Sequence, residues 1–66
     1  MAIYERIKEL RIEKGLSQMQ LAKLLDMSQS AVAKWELGKT EPTASAIILL
    51  SKIFNESTDY LLGLSD

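Results

Sequence analysis

The chain has 66 residues, 47 % of them hydrophobic, and carries neither cysteine nor histidine. That length allows one small core, near the lower limit for unaided folding, and the missing residue types exclude disulfide staples and histidine- or cysteine-based metal sites. Eight basic side chains against nine acidic give a net charge of −1, which argues against an anionic partner only if the charges are spread evenly.

Taken in order, the chain reads as short helices. Between Met1 and Lys14, Ile3, Ile7 and Leu10 recur at the helical i, i+4, i+7 spacing, and Gly15 supplies a stop. This opening stretch, "MAIYERIKEL", is charged throughout and so does not read as a signal peptide. Ser17 caps a second helix, "QMQLAKLLD", with a core stripe of Leu21, Leu24 and Leu25. Asp26 and Met27 make a sharp turn, with a left-handed backbone expected at Asp26, which aspartate tolerates better than most residues. Ser28 caps a third helix that Gly38 ends. Met27, Val32 and Trp35 are expected to bury its inner side against Leu21 and Leu25, with small Ala22 where the two backbones approach. "GKTEP", Gly38 to Pro42, is a loop. Thr43 caps a fourth helix, "ASAIILLSKIF", apolar around much of its circumference and therefore expected at the centre of the bundle. Its most apolar run, "AIILL", is far short of the ~20 residues a bilayer span needs. Asn55 breaks it, and Ser57 opens a last helix, "TDYLLG", with Tyr60 in the core and Gly63 at the end. No strand alternation, internal repeat or low-complexity tract is visible. The expectation is an all-α, five-helix bundle, one domain over residues 1–66, with a helix-turn-helix at about 18–37.

The third helix poses the functional question. Only Val32 and Trp35 are large and correctly spaced to face a core, while Gln29, Ser30, Ala33 and Lys34 are small or polar. The charge distribution points the same way. Residues 1–13 balance, with Arg6, Lys8 and Arg11 against Glu5, Glu9 and Glu13. Residues 14–40 are positive, with Lys14, Lys23, Lys34 and Lys39 against Asp26 and Glu36, and residues 41–66 are negative, with Lys52 against Glu41, Glu56, Asp59 and Asp66. An anionic ligand belongs at the middle third.

Several motifs occur together here: R-x-x-x-G-L-[ST]-Q at Arg11 to Gln18, L-A at Leu21 and Ala22, the Ser28-capped helix, W-E-x-G at Trp35 to Gly38, Pro42, and the terminal "DYLLGLSD". At this spacing the chain resembles the lambda-repressor-like, or Cro and xenobiotic-response-element, family of DNA-binding domains over nearly its whole length. The resemblance implies that the third helix enters the major groove of double-stranded DNA, with Ser28, Gln29, Ser30, Ala33 and Lys34 as base readers. Gln29 has the donor and acceptor for adenine, Lys34 can donate to guanine, and Ala33 can meet a thymine methyl. It also implies phosphate contacts from Gln18 at the start of the second helix, from Lys39 and Thr40 past the third, and from part of Arg11. Lys14 and Lys23 read as general positive field.

Arg11 lies at the edge of the first helix's apolar face and Glu36 on the inner side of the third, where charges need partners. The resemblance implies that they pair. It also exposes departures: Leu37 stands where related repressors often carry a polar phosphate-binding residue, Glu41 where a basic one is common, and no arginine follows Pro42 to probe the minor groove. Modest affinity per subunit and a need for dimerisation are the consequence. Thr58, Leu61, Leu62 and Leu64 offer apolar area for a homodimer on a palindromic operator, at some distance from the third helix.

An enzyme is the least supported class, since no carboxylate pair is placed in an apolar pocket and no cofactor or metal is implied. A protein-interaction module on the same fold, such as an antitoxin or sporulation-type regulator, is the competing reading. RNA binding lacks an exposed aromatic platform, because Trp35 and Tyr60 are both at core spacing. A small cytoplasmic transcriptional regulator of prokaryotic or phage type, acting as a repressor, is the expectation.

Overall fold

Most of these helices start at a hydroxyl that stands in for a missing backbone acceptor, and all end at a residue with positive φ. The computed structural model describes residues 2–65. Met1 and Asp66, which open the first-helix window and close the "DYLLGLSD" motif, lie outside the described residues. Five helices run through them: α1 Ile3–Glu13, α2 Gln18–Leu24, α3 Gln29–Glu36, α4 Ala44–Phe54 and α5 Thr58–Leu61. None is long and apolar enough to cross a membrane.

Ser17, Ser28, Thr43 and Ser57 each accept a hydrogen bond from the backbone N–H three residues on, at 3.0–3.2 Å, satisfying one orphan donor per helix. Before α1 stands Ala2, which has no such oxygen, and the Glu5 carboxylate instead accepts from the Ala2 N–H at 3.1 Å. At the other ends, Gly15, Asp26, Gly38, Asn55 and Gly63 take φ between 54° and 78°. The residue after each returns its N–H to a carbonyl five positions back: Leu16 to Arg11, Met27 to Ala22, Lys39 to Lys34, Glu56 to Ser51 and Leu64 to Asp59, at 2.8–3.1 Å. This closure absorbs the last residues of the windows expected for α2 and α5, which are therefore shorter than their sequence patterns.

The core is Ile7 and Leu10 from α1, Leu21, Ala22 and Leu25 from α2 and its end, Val32 and Trp35 from α3, Ala46, Leu50 and Phe54 from α4, and Leu61 from α5. Three expectations are corrected. Leu24 is 58 % exposed: with Leu21, Ala22 and Leu25 defining the buried face, a rotation of about 100° per residue carries Leu24 off it. Met27 is exposed as well, because the turn uses its backbone N–H while leaving its side chain outside. Nor is α4 surrounded. Ala46, Leu50 and Phe54 form one inward stripe, whereas Ile48 and Leu49 face outward, since so short a chain has no further layer to cover them.

α3 packs on α2 and α1, and α5 packs on α4 and α1. Arg6 holds α5 in a way that its place in a balanced charge block did not suggest. It is buried, its Nη1 donates to the Tyr60 carbonyl at 3.1 Å, and its guanidinium carbon lies 3.8 Å from the centre of the Tyr60 ring. The sequence did contain the sign: Arg6 sits inside the stripe Ile3, Ile7, Leu10 at i+3 and i+4 spacing. Tyr60 is half-buried against the core with Arg6 over it.

Candidate nucleic-acid interface

α2 and α3 are joined by residues 25–28, and the steric conditions for so tight a join are met. Ala22 is buried at the crossing, and Asp26 supplies the left-handed step at φ 56°. Val32, Trp35 and Glu36 are buried on the inner side of α3. Ser28, Gln29, Ser30 and Lys34 are exposed, and Ala33 is half-buried between the two faces. One side of the helix is thus fastened and the other is small, polar and open.

The fastening is polar as well as apolar. Arg11 Nε donates to Glu36 Oε2 at 2.7 Å, its Nη2 to Glu36 Oε1 at 3.0 Å and its Nη1 to the Leu16 carbonyl at 2.8 Å. The hydrogen bonds to Glu36 raise the Arg11 pKa further above its ordinary range, against the lowering effect of burial. With its side chain 12 % exposed, Arg11 offers a phosphate only an edge. Gln18, at the first position of α2, donates from Nε2 to Glu36 Oε1 at 3.1 Å and accepts from Gln29 Nε2 at 2.7 Å. Arg11, Glu36, Gln18 and Gln29 therefore form one connected chain from core to surface. The link from Gln18 to Glu36 is absent from the sequence expectations. A hint was available in that Gln18 and Gln29 both occupy the first turn of their helices, directly after a capping serine.

Ser28 is partly committed: its Oγ accepts from the Ala31 N–H and lies 3.1 Å from Ser30 Oγ. Lys39 and Thr40 are exposed just beyond α3, with their backbone N–H groups directed to the Lys34 carbonyl at 2.9 and 3.5 Å. Lys14, Lys23, Lys34 and Lys39 are all exposed, while of the two acidic residues in the same third Glu36 is neutralised by Arg11. The outward field here is positive despite the chain's net charge. On the proposed pairing surface one residue is a correction: Leu61 is fully buried and belongs to the core, because it faces inward from a helix of four residues. Thr58 is half-buried, and Leu62 and Leu64 are exposed.

Two helices at this turn, one fastened inward and open outward, define a helix-turn-helix protein of the kind built into transcriptional regulators. The chain belongs to the helix-turn-helix family in its lambda-repressor-like form, with the family model "Helix-turn-helix" matching residues 7–61. It is 41 % identical over 58 residues to the SPbeta prophage-derived HTH-type transcriptional regulator YonR of Bacillus subtilis, covering 88 % of this chain and 54 % of that protein. It is 40 % identical over 63 residues to the HTH-type transcriptional activator BcrR of Enterococcus faecalis, covering 96 % of this chain and 31 % of that one. The chain thus spans about half of the first relative and a third of the second. Among solved structures it superposes on the P22 c2 repressor protein in complex with a synthetic operator, with a TM-score of 0.88 at 35 % identity, covering 94 % of each chain.

Proposed function

We propose that this chain is a sequence-specific reader of double-stranded DNA that controls transcription, with α3 in the major groove. The observation that carries the reading is the asymmetry of α3: Val32, Trp35 and Glu36 are buried while Gln29, Ser30 and Lys34 stand free. Bulky side chains on that outer face would hold the helix off the base edges. Gln29, Ser30, Ala33 and Lys34 are the base readers, and Lys39, Thr40, an N–H of Gln18 and the exposed edge of Arg11 meet phosphates. The P22 repressor superposed above is bound to an operator, which supports carrying the same mode to this chain. Residues 1–66 act as one unit, in the cytoplasm, and two copies pair through Thr58, Leu62 and Leu64 to place two α3 helices on a palindromic site. Repression is the simplest outcome of such occupancy.

Selection of bound duplexes from a random pool tests this. The expected product is a palindromic consensus whose half-sites are about 34 Å apart along the duplex. No enrichment at moderate salt overturns the reading.

A further inference from the structure

The chain of bonds from Arg11 to Gln29 carries directional information. The Glu36 side chain is 3 % exposed and binds Arg11 through both oxygens. As a carboxylate it can only accept, so the Gln18 atom 3.1 Å from its Oε1 has to be the amide nitrogen. That leaves the Gln18 oxygen turned to Gln29, and an oxygen of an amide can only accept too. The Gln29 atom 2.7 Å away therefore has to be nitrogen. The two ends of a glutamine amide are nearly the same shape and either can face a given neighbour; here one carboxylate orients two of them in series.

We propose that Glu36, which lies beneath α3 and touches no base, is a positioning residue that sets the base preference of Gln29. This rests on the DNA-binding reading above. With one N–H of Gln29 committed to Gln18, the side chain presents outward one remaining N–H and a carbonyl oxygen that takes no bond within the described residues. Adenine satisfies both in the major groove, since its N6 amine donates and its N7 accepts. Guanine offers two acceptors, O6 and N7, and the Gln29 oxygen would oppose one of them. Reversing Gln29 to suit guanine would set its oxygen against that of Gln18. Reversing Gln18 as well would set an oxygen against Glu36. Discrimination between the two purines is thus tied to a carboxylate two side chains away.

The test is selection of bound duplexes by the full chain and three variants, with thermal unfolding followed in parallel. Gln29→Ala identifies the position that Gln29 reads by abolishing its preference; the native chain is expected to favour adenine there. Gln18→Met severs the series while leaving Arg11 and Glu36 paired, and should reduce the adenine-to-guanine ratio at that position about tenfold with the other positions retained. In Glu36→Gln the oxygen stays with the shorter Arg11 bond and the new amide nitrogen faces Gln18. Both glutamines then reverse, and guanine gains at the same position. If Glu36 only fastens α3, both variants lose affinity evenly at every position and the ratio does not move, which overturns the proposal. Should Glu36→Gln fail to fold, Gln18→Met decides by itself, because the ion pair is untouched. A palindrome read by the native chain with no adenine at the Gln29 position also overturns it, whereas a native chain that enriches no DNA overturns the DNA-binding reading and this proposal with it.

Discussion

Arg11 is the residue on which the reading helix depends most, because its three nitrogens hold α3 through Glu36 and the α1–α2 connection through the Leu16 carbonyl. Truncating one partner of a buried pair leaves the other charge uncompensated, so Arg11→Ala should cost about 3 kcal/mol. A chain of this length is worth only about 3–10 kcal/mol in total, so that loss brings it near the edge of folding. Denaturant titration checks it, together with a duplex-binding assay in which affinity falls. The paired change Arg11→Met with Glu36→Leu should recover most of the stability, since two apolar side chains of similar volume leave no charge buried. The pH sign is simple: the folded-state pKa of Arg11 is raised, so its contribution is complete below the ordinary arginine range and is lost only as pH climbs through the raised value. Stability near neutrality should not move on account of this pair. At this scale the sequence was informative wherever a charge fell on an apolar stripe with a motif partner, as with Arg11 and Glu36. It was silent on Gln18, because nothing in a linear pattern shows that a first-turn amide reaches a carboxylate 18 positions later.

Helix ends were the most legible elements, since caps and left-handed stops are local chemistry that tertiary packing seldom overrides. Ser17, Ser28, Thr43 and Ser57 all act where their positions in the sequence imply. Faces were harder to read. Periodicity marks Leu21, Leu24 and Leu25 alike, and only the partner helix decides which of them is covered; likewise α4 is apolar all round yet buries a single stripe. Of the five closing residues, Asp26 and Asn55 carry a side chain through a left-handed step. Asp26 is exposed and so is replaceable without loss of packing. Asp26→Gly should stabilise the chain by about 0.5–1 kcal/mol, the left-handed strain relieved less the greater freedom of the unfolded glycine. A rise in the thermal midpoint of a few degrees checks it; a fall would show that the aspartate side chain holds the turn together.

For the whole molecule, the net charge proved less telling than its partition. The positive middle third lies on the helix-turn-helix and its flanks, and the negative last third lies on α4, α5 and the short segments that flank them. Pairing through the end of the chain would then keep the acidic part away from phosphates. Leu62→Ser with Leu64→Ser should leave monomer stability within about 0.5 kcal/mol, because both side chains are exposed. Dimerisation in sedimentation, and affinity for a full palindrome, should fall together while binding to a half-site is kept. An unchanged sedimentation profile would remove this surface from the pairing role. The sequence named the region but could not separate Leu61 from its neighbours, because in a helix of four residues no periodicity is long enough to show a face.

α5 has a further consequence. Four residues cannot hold helical form alone, and this helix persists because Leu61 is inserted into the core and Arg6 grips Tyr60 from a position 54 residues earlier. The helix-turn-helix, by contrast, is held by α1 and its own two members. Amide protons at the end of the chain should therefore exchange through small openings that leave α2 and α3 protected. Warming would let two copies part before either forgets how to read, so the molecule has one melting temperature for recognition and a lower one for company.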